Sequence, residues 1–387
     1  MKLIGKKLGL LEAALTAVIL FGITTLLYLY TSGYRLDRDT ENQIDFNKTG
    51  MINVKSVPDG ASVYLDGELV TATDDTVAGV EPGIHKIKIV KKGFVEWSKE
   101  LEVFETLVTD ITAILVSQSP RLEPLTNTGA LNPSISPSLS KLAYFSKDAE
   151  ESGIWVIPLS SGLNLFRSNP NIAIEDTRFT KYSNGSKIEW SPNENNLLIQ
   201  GEGNIYYLIN LETNTAETTS TPELIRETWA EKQARNREDL IEKLEISEDI
   251  RSLALSPKSL WAPDDKKFLY TVQNGENLEY RIYNLEKPLP VGEKTETLAF
   301  TTNINDPQPK VSWYSDSFHL VLTEGDVVNE QKGTISLIRI DGTNKTEIYN
   351  NTLMSSEVYS APGGDKILIL TSFKSGDQTD LYTVSIR

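Results

Sequence analysis

Residues 50–105 read GMINVKSVPDGASVYLDGELVTATDDTVAGVEPGIHKIKIVKKGFVEWSKELEVFE. Apolar residues alternate here along four short runs, Ile52/Val54, Ala61/Val63/Leu65, Ile87/Ile89 and Leu101/Val103. Period-two alternation sends every second side chain to one face, so the runs predict half-buried antiparallel strands. Pro58-Asp59-Gly60, Asp66-Gly67 and Pro82-Gly83 stand where the chain must turn. Proline presets φ there, and glycine accepts a positive one.

The same run resembles the PEGA domain, a small β-sandwich found mostly in bacterial envelope and surface proteins. The residues that carry the resemblance are Pro58, Gly60, Ala61, Val63, Tyr64, Leu65, Asp66, Gly67, Thr73, Pro82, Gly83, Gly93 and Trp97. Thr71 replaces a usual Gly and Asp74 a usual Pro, which bears on the turn at 70–75 and not on the domain. A PEGA-like sandwich is therefore expected over 50–117. No enzymatic activity goes with that family, so the resemblance implies a binding or structural role.

The chain has 387 residues, room for two or three domains. Its net charge of −16 disfavours nucleic acid as a partner, because phosphate binding needs basic surface. With no cysteine, disulfides, thiolate metal sites, thiol nucleophiles and lipidation at an N-terminal Cys are excluded.

Residues 8–30 form the one long apolar stretch, with Glu12 its sole charge and 13–30 unbroken. About 20 apolar residues cross a bilayer core. Lys2, Lys6 and Lys7 precede the stretch, Arg35 and Arg38 follow it, and Tyr28, Tyr30 and Tyr34 lie where an aromatic belt would. The expectation is a single-pass transmembrane helix over 8–30, with a cytoplasmic tail at 1–7 and a polar linker at 31–49. The body would lie outside the cytoplasmic membrane. The rival readings are a cleaved signal peptide, disfavoured by the long apolar core and the lack of an Ala-x-Ala site, and a buried core helix.

From about residue 118 one pattern recurs: Ser/Ala-Pro or a variant, a polar turn, an apolar strand, then a second strand. The five copies begin at Ser134, Glu189, Leu260, Val311 and Tyr359 and carry Ser136-Pro137, Ser191-Pro192, Ala262-Pro263, Ser315-Asp316 and Ala361-Pro362. Their first strands start at Lys141, Leu197, Phe268, His319 and Lys366. A recurring multi-strand unit cannot bury its own faces, so copies must stack as a propeller or array. The pattern is similar to the TolB-like propeller repeat, of which each copy keeps fragments. A β-propeller of about five blades is expected over 118–387, with six, one having lost its pattern, as the rival. Copies one to four are each followed by a candidate outer strand, such as 163–167 or 345–349. The fifth has none, and 121–126 is predicted to supply it and close the ring.

Residues 222–246 break the β rhythm and predict a helical insertion, with Pro222 in the first turn and Leu224/Trp229 and Leu240/Leu244 on its apolar face. It is read as a solvated helix capping the blades, with a partner-binding arm as the sharper alternative. The fold class is thus mainly β, with a membrane helix, a sandwich, a propeller and one helical insertion.

Signs of catalysis are few. The two histidines, His85 and His319, fall in different domains and read as ordinary strand residues. There is no Gly-x-Ser-x-Gly elbow, phosphate loop or dinucleotide fingerprint. Asp74-Asp75 and Asp264-Asp265 lack calcium-loop spacing and read as turn residues. Trp155, Trp190, Trp261 and Trp313 recur at blade positions and read as inter-blade packing rather than a sugar platform. No catalytic, metal or cofactor residue is assigned, and no cofactor is expected. The leading expectation is a non-catalytic, membrane-anchored envelope scaffold that binds proteins or cell-wall glycans. The alternative is an envelope enzyme acting on glycans through carboxylates in the propeller funnel.

Overall fold

A computed structural model describes residues 2–31, 34–38, 44–159, 170–373 and 378–387, with side chains described for 15–29 and, within those spans, from 48 onward. The chain divides into two compact units, one mainly Met1–Lys92 and Glu96–Leu115, the other mainly Val116–Lys287 and Lys294–Arg387.

The first element corrects the expected fold class. One helix, α1, runs Lys2–Thr31 and takes in both the expected tail and the expected span. Among the described residues no helix is long and apolar enough to cross a membrane. The segment expected to be a linker holds two paired strands, Tyr34–Arg38 and Ile44–Lys48.

The 50–105 stretch folds as two facing sheets. Four antiparallel strands order as Glu68–Ala72, Ser62–Leu65, Gly83–Val90, Trp97–Val103, and three as Asp75–Val80, Gly50–Val57, Val108–Ile114. Of the alternating residues, Ile52, Val54, Ala61, Val63, Ile87, Ile89, Leu101 and Val103 are buried and Leu65 is half-buried. Each of these buried Ile, Val and Leu side chains contributes about 1.5–3 kcal/mol on burial. One pairing departs from the antiparallel expectation. Gly50–Val57 runs parallel to Val108–Ile114, which the intervening sheet makes feasible as a long crossover. Asp66 (φ 51°) and Gly67 (φ 94°) both sit at positive φ between strands 62–65 and 68–72, as a tight type I′ hairpin requires.

The second unit contains five four-stranded antiparallel sheets. From innermost to outermost strand, the first blade is Leu131–Ile135, Lys141–Ser146, Gly153–Pro158 and Asn171–Glu175. The second is Lys187–Trp190, Asn196–Gln200, Tyr206–Asn210 and Thr215–Thr219. The third is Leu260–Trp261, Lys267–Asn274, Asn277–Asn284 and Glu296–Asn303. The fourth is Lys310–Trp313, His319–Glu324, Lys332–Arg339 and Thr346–Thr352. The fifth is Tyr359–Ser360, Lys366–Thr371, Asp380–Ser385 and, outermost, Leu122–Pro124 from the start of the unit. The expected strand at 163–167 lies outside the described residues. No sixth four-stranded sheet occurs among the described residues of the second unit.

The five inner turns share one geometry, which explains the recurring motif. Leu139, Glu194, Asp265, Ser317 and Gly364 sit at φ 61°, 58°, 55°, 59° and 61°. Each donates its N–H back to the third residue before it, Ser136, Ser191, Ala262, Tyr314 and Ala361. Those residues in turn donate to the carbonyls of Lys141, Asn196, Lys267, His319 and Lys366. A single apolar cluster joins the fifth blade to the first through Leu370, Leu381, Leu142 and Tyr144. Others join the first to the second and the third to the fourth. The fourth meets the fifth where Ser312 Oγ donates to Val358 O at 3.0 Å. Stacked blades with a ring-closing strand make this a five-bladed β-propeller.

Candidate functional site

The innermost strands of all five blades line one cavity of about 910 Å³. Its wall includes Ser134 to Leu139, Trp190 and Glu194, Leu260 to Pro263, Asp265, Lys310 to Trp313 and Glu357 to Ser360. The helical insertion lines the same cavity. It consists of α2, Pro222–Glu242, and α3, Glu248–Leu255.

The insertion therefore does not simply cap the blades. Gln233, Asn236, Arg237 and Leu240 recur at three- and four-residue spacing on α2 and face the cavity together. Of the apolar face expected from Leu224/Trp229 and Leu240/Leu244, Leu224 is 59% and Leu240 45% exposed, Trp229 is half-buried, and Leu244 packs against the buried cluster. Ile241 is the α2 side chain that is fully buried, within a cluster containing Ala254, Trp261 and Phe268. At its other end α2 is held by Arg226, whose Nη2 lies 2.8 Å from Glu189 Oε1 on the second blade's inner strand. The insertion thus bridges the second and third blades.

The aromatic side chains at the inner strands are tied down. Trp190 Nε1 donates to Ser134 O at 3.0 Å and Trp313 Nε1 to Leu260 O at 2.8 Å, each reaching the preceding blade. Tyr359 Oη donates to Pro133 O at 2.8 Å across the fifth-to-first junction. Trp261 Nε1 donates to Ala254 O of α3 at 2.8 Å. Trp155 differs: its Nε1 donates to Glu151 O within its own blade, at 3.2 Å. The inner rings therefore act as rigid walls whose polar edges are used for assembly.

The cavity's charges fall into two groups. Glu194 accepts from Ser138 N at 2.6 Å and Ser140 Oγ at 3.2 Å. Burial pushes its carboxyl up, but hydrogen bonds from Ser138, Ser136 and Ser140 outweigh that and hold it below its ordinary value. Lys310 Nζ pairs with Glu357 Oε1 at 2.8 Å. Among the described residues, Arg237 and Asp265 have no such hydrogen-bond or ion-pair partner. The Arg237 guanidinium lies over the Trp261 ring, 5.4 Å from its centroid. Burial draws it down from its ordinary value, with Asp265 opposing. Loss of surrounding water pushes the Asp265 carboxyl up, against Arg237 and with Asp264 reinforcing.

Both histidines lie outside the cavity lining, each against an aspartate of its own unit. His85 uses both ring nitrogens, on Asp66 Oδ2 at 2.6 Å and Glu81 O at 2.8 Å. His319 is 2% exposed, with Nδ1 2.7 Å from Asp316 Oδ2. Asp264 is a turn residue whose Oδ1 accepts from Lys266 N and Oδ2 from Lys267 Nζ. No group of three or more His, Cys, Asp or Glu side chains among the described residues has the arrangement of a metal site. Sequence reasoning missed the cavity's α2 wall. Its polar stripe gives no hydrophobic periodicity, and the spacing of Gln233, Asn236, Arg237 and Leu240 was the one signal available.

Residues 49–118 match the PEGA domain family. No curated protein matches the chain. Among solved structures, TolB from Acinetobacter baumannii aligns at 12% identity and a TM-score of 0.26, over 78% of this chain and 59% of its own. A putative TolB from Agrobacterium tumefaciens aligns at 16% identity and 0.23, over 67% and 73%. An oligogalacturonate lyase in complex with manganese aligns at 10% and 0.24, over 92% and 96%. Similarity at this level carries no argument about function, and the propeller assignment rests on the strand order itself.

Proposed function

We propose that the chain is a non-catalytic binding scaffold of the bacterial cell envelope, acting outside the cytoplasmic membrane and engaging a protein or a cell-wall glycan. The observation that carries this reading is the cavity shared by five inner strands and α2, with aromatic walls and a few charged side chains. Concave sites of several hundred Å³ with apolar walls and a few convergent polar groups are where ligands bind. The PEGA domain supports the envelope setting.

The state of the carboxylates favours binding over glycan cleavage. Cleavage calls for one raised acid and a second carboxylate positioned to attack or to activate water. Of the cavity's acids, Asp265 is pushed up, while Glu194 is bound by a turn and Glu357 by Lys310. That leaves no second uncommitted carboxylate lining the cavity.

The test uses the full-length chain on beads, offered purified wall polymers and individual envelope proteins. Leu240→Trp fills the cavity from an exposed helix position, and an unchanged melt shows that the variant is folded. The scaffold reading expects capture of a defined polymer or protein that Leu240→Trp abolishes, with no new reducing ends released. Capture unaffected by Leu240→Trp, or release of reducing ends, overturns it.

A further inference from the structure

Arg237 and Asp265 line the same cavity, feel each other's charge, and make no hydrogen bond or ion pair with each other or with any other described side chain. Every other charged residue of the cavity wall is committed: Lys310 to Glu357, and Glu194 to the Ser138–Ser140 turn. Arg237 is half-buried and Asp265 exposed, so both opposite charges stand open on the cavity wall to a ligand that meets both.

We infer that this part of the funnel binds an amino-acid head group, with the ligand's carboxylate on the Arg237 fork and its ammonium on the Asp265 carboxylate. The inference rests on the binding reading above and names the ligand chemistry for it.

Three features support the assignment. The guanidinium is a planar fork that matches a carboxylate with two parallel N–H bonds. Its Cζ lies 5.4 Å from the ring centroid of Trp261, a buried residue fixed by its bond to Ala254, so the fork rests over a rigid wall. The chain's net charge of −16 repels a simple anion but not a neutral dipole. Asp265 beside the fork adds to that discrimination, because a lone carboxylate on Arg237 would face it as a like charge. The cavity of about 910 Å³ is larger than one amino acid, so the head group fits while attached to a longer chain.

The test is calorimetric titration of the full-length chain with three probes. Phenylalanine carries both charges, N-acetylphenylalanine the carboxylate alone and phenylalanine amide the ammonium alone. Phenylalanine is expected to bind, and each capped probe to bind at least about tenfold more weakly. Arg237→Gln should abolish binding of phenylalanine. Asp265→Asn, at a backbone conformation asparagine accepts, should leave phenylalanine and N-acetylphenylalanine bound equally. Unchanged melting shows that each variant is folded. N-acetylphenylalanine binding wild type as well as phenylalanine overturns the inference, as does absence of phenylalanine binding at roughly 10 mM. If phenylalanine fails to bind while Leu240→Trp still abolishes capture of an envelope partner, the head-group inference falls and the scaffold reading stands. Phenylalanine binding in this pattern with capture indifferent to Leu240→Trp gives the opposite result.

Discussion

Leu122 stands opposite Val384 in paired antiparallel strands, so the first strand of the second unit completes the sheet made by the last. The junction is secured on both sides of that pair. Ser385 N donates to Arg121 O at 2.8 Å, and Lys366 Nζ lies 2.9 Å from Glu123 Oε2. Without this strand, Asp380–Ser385 would expose a paired-strand edge rich in apolar residues, a template for aggregation. A chain beginning at Asn127 is therefore expected to aggregate or melt at lower temperature, whereas one beginning at Ser117 stays soluble with one cooperative transition. Scattering and calorimetry of the two decide it, and equal behaviour would show that the edge needs no cover.

Glu194 links the inner turns of the first and second blades through Ser138 and Ser140, and its side chain is 13% exposed. Glu194→Gln removes the charge from these hydrogen bonds and should cost about 1–3 kcal/mol in denaturant unfolding. The pH dependence follows from the lowered carboxyl. A depressed folded-state pKa gives stability that is present above the unfolded value of about 4.3 and lost as pH falls through the folded value. Wild type should lose stability below about pH 4.3 faster than Glu194→Gln does. Parallel stability curves for the two proteins would remove Glu194 from the acid transition.

Leu139, Glu194, Asp265, Ser317 and Gly364 occupy one left-handed position, and only the last is glycine. Left-handed backbone costs an L-residue about 1–2 kcal/mol, more readily tolerated by Asp, Asn and Gly than by Leu. Leu139 is partly exposed in the cavity wall, so little packing is lost on its removal. Leu139→Gly is expected to raise stability by up to about 1 kcal/mol, offset in part by the flexibility glycine adds to the unfolded chain. A fall in the denaturation midpoint would show that the Leu139 side chain matters more than its backbone strain.

What the residues disclosed follows from which forces are local. The inner turns could be read because proline and the polar residues after it act within a few positions, and the structure returns one geometry for all five. The closing strand could be read because 121–126 was left without a partner, and Leu122–Pro124 indeed joins the last blade. The parallel pairing of Gly50–Val57 with Val108–Ile114 had no local signal, because a parallel ladder is made by a distant crossover. Thr215–Thr219, an outer strand with a single apolar residue, shows pairing without an apolar face. At 345–349 the register was nearly right, the strand being Thr346–Thr352. The Arg237–Asp265 pair was hidden for a different reason. It joins a helix to a turn, and only the folded ring brings the two to one wall.

Gly60 has φ 66°, and a Cβ built there would meet only Lys91 Nζ, at 3.6 Å. Space is available, so any cost of a side chain comes from the backbone. The turn is also tightly tied: Gly60 N donates to Thr73 O at 3.2 Å, Thr73 N to Ala61 O at 2.8 Å, and Ala61 N to Thr73 Oγ1 at 2.9 Å. These bonds keep the chain from relaxing away from positive φ. Gly60→Val places a β-branched residue where it is least tolerated and should cost about 1–3 kcal/mol. That is a large share of the stability of a small domain, so the sandwich should melt early while the propeller transition stays in place. Gly60→Asn, with a residue that accepts left-handed backbone, should recover much of the loss. Calorimetry reads both transitions in one scan. A Gly60→Val scan identical to wild type would show that this turn does not depend on glycine.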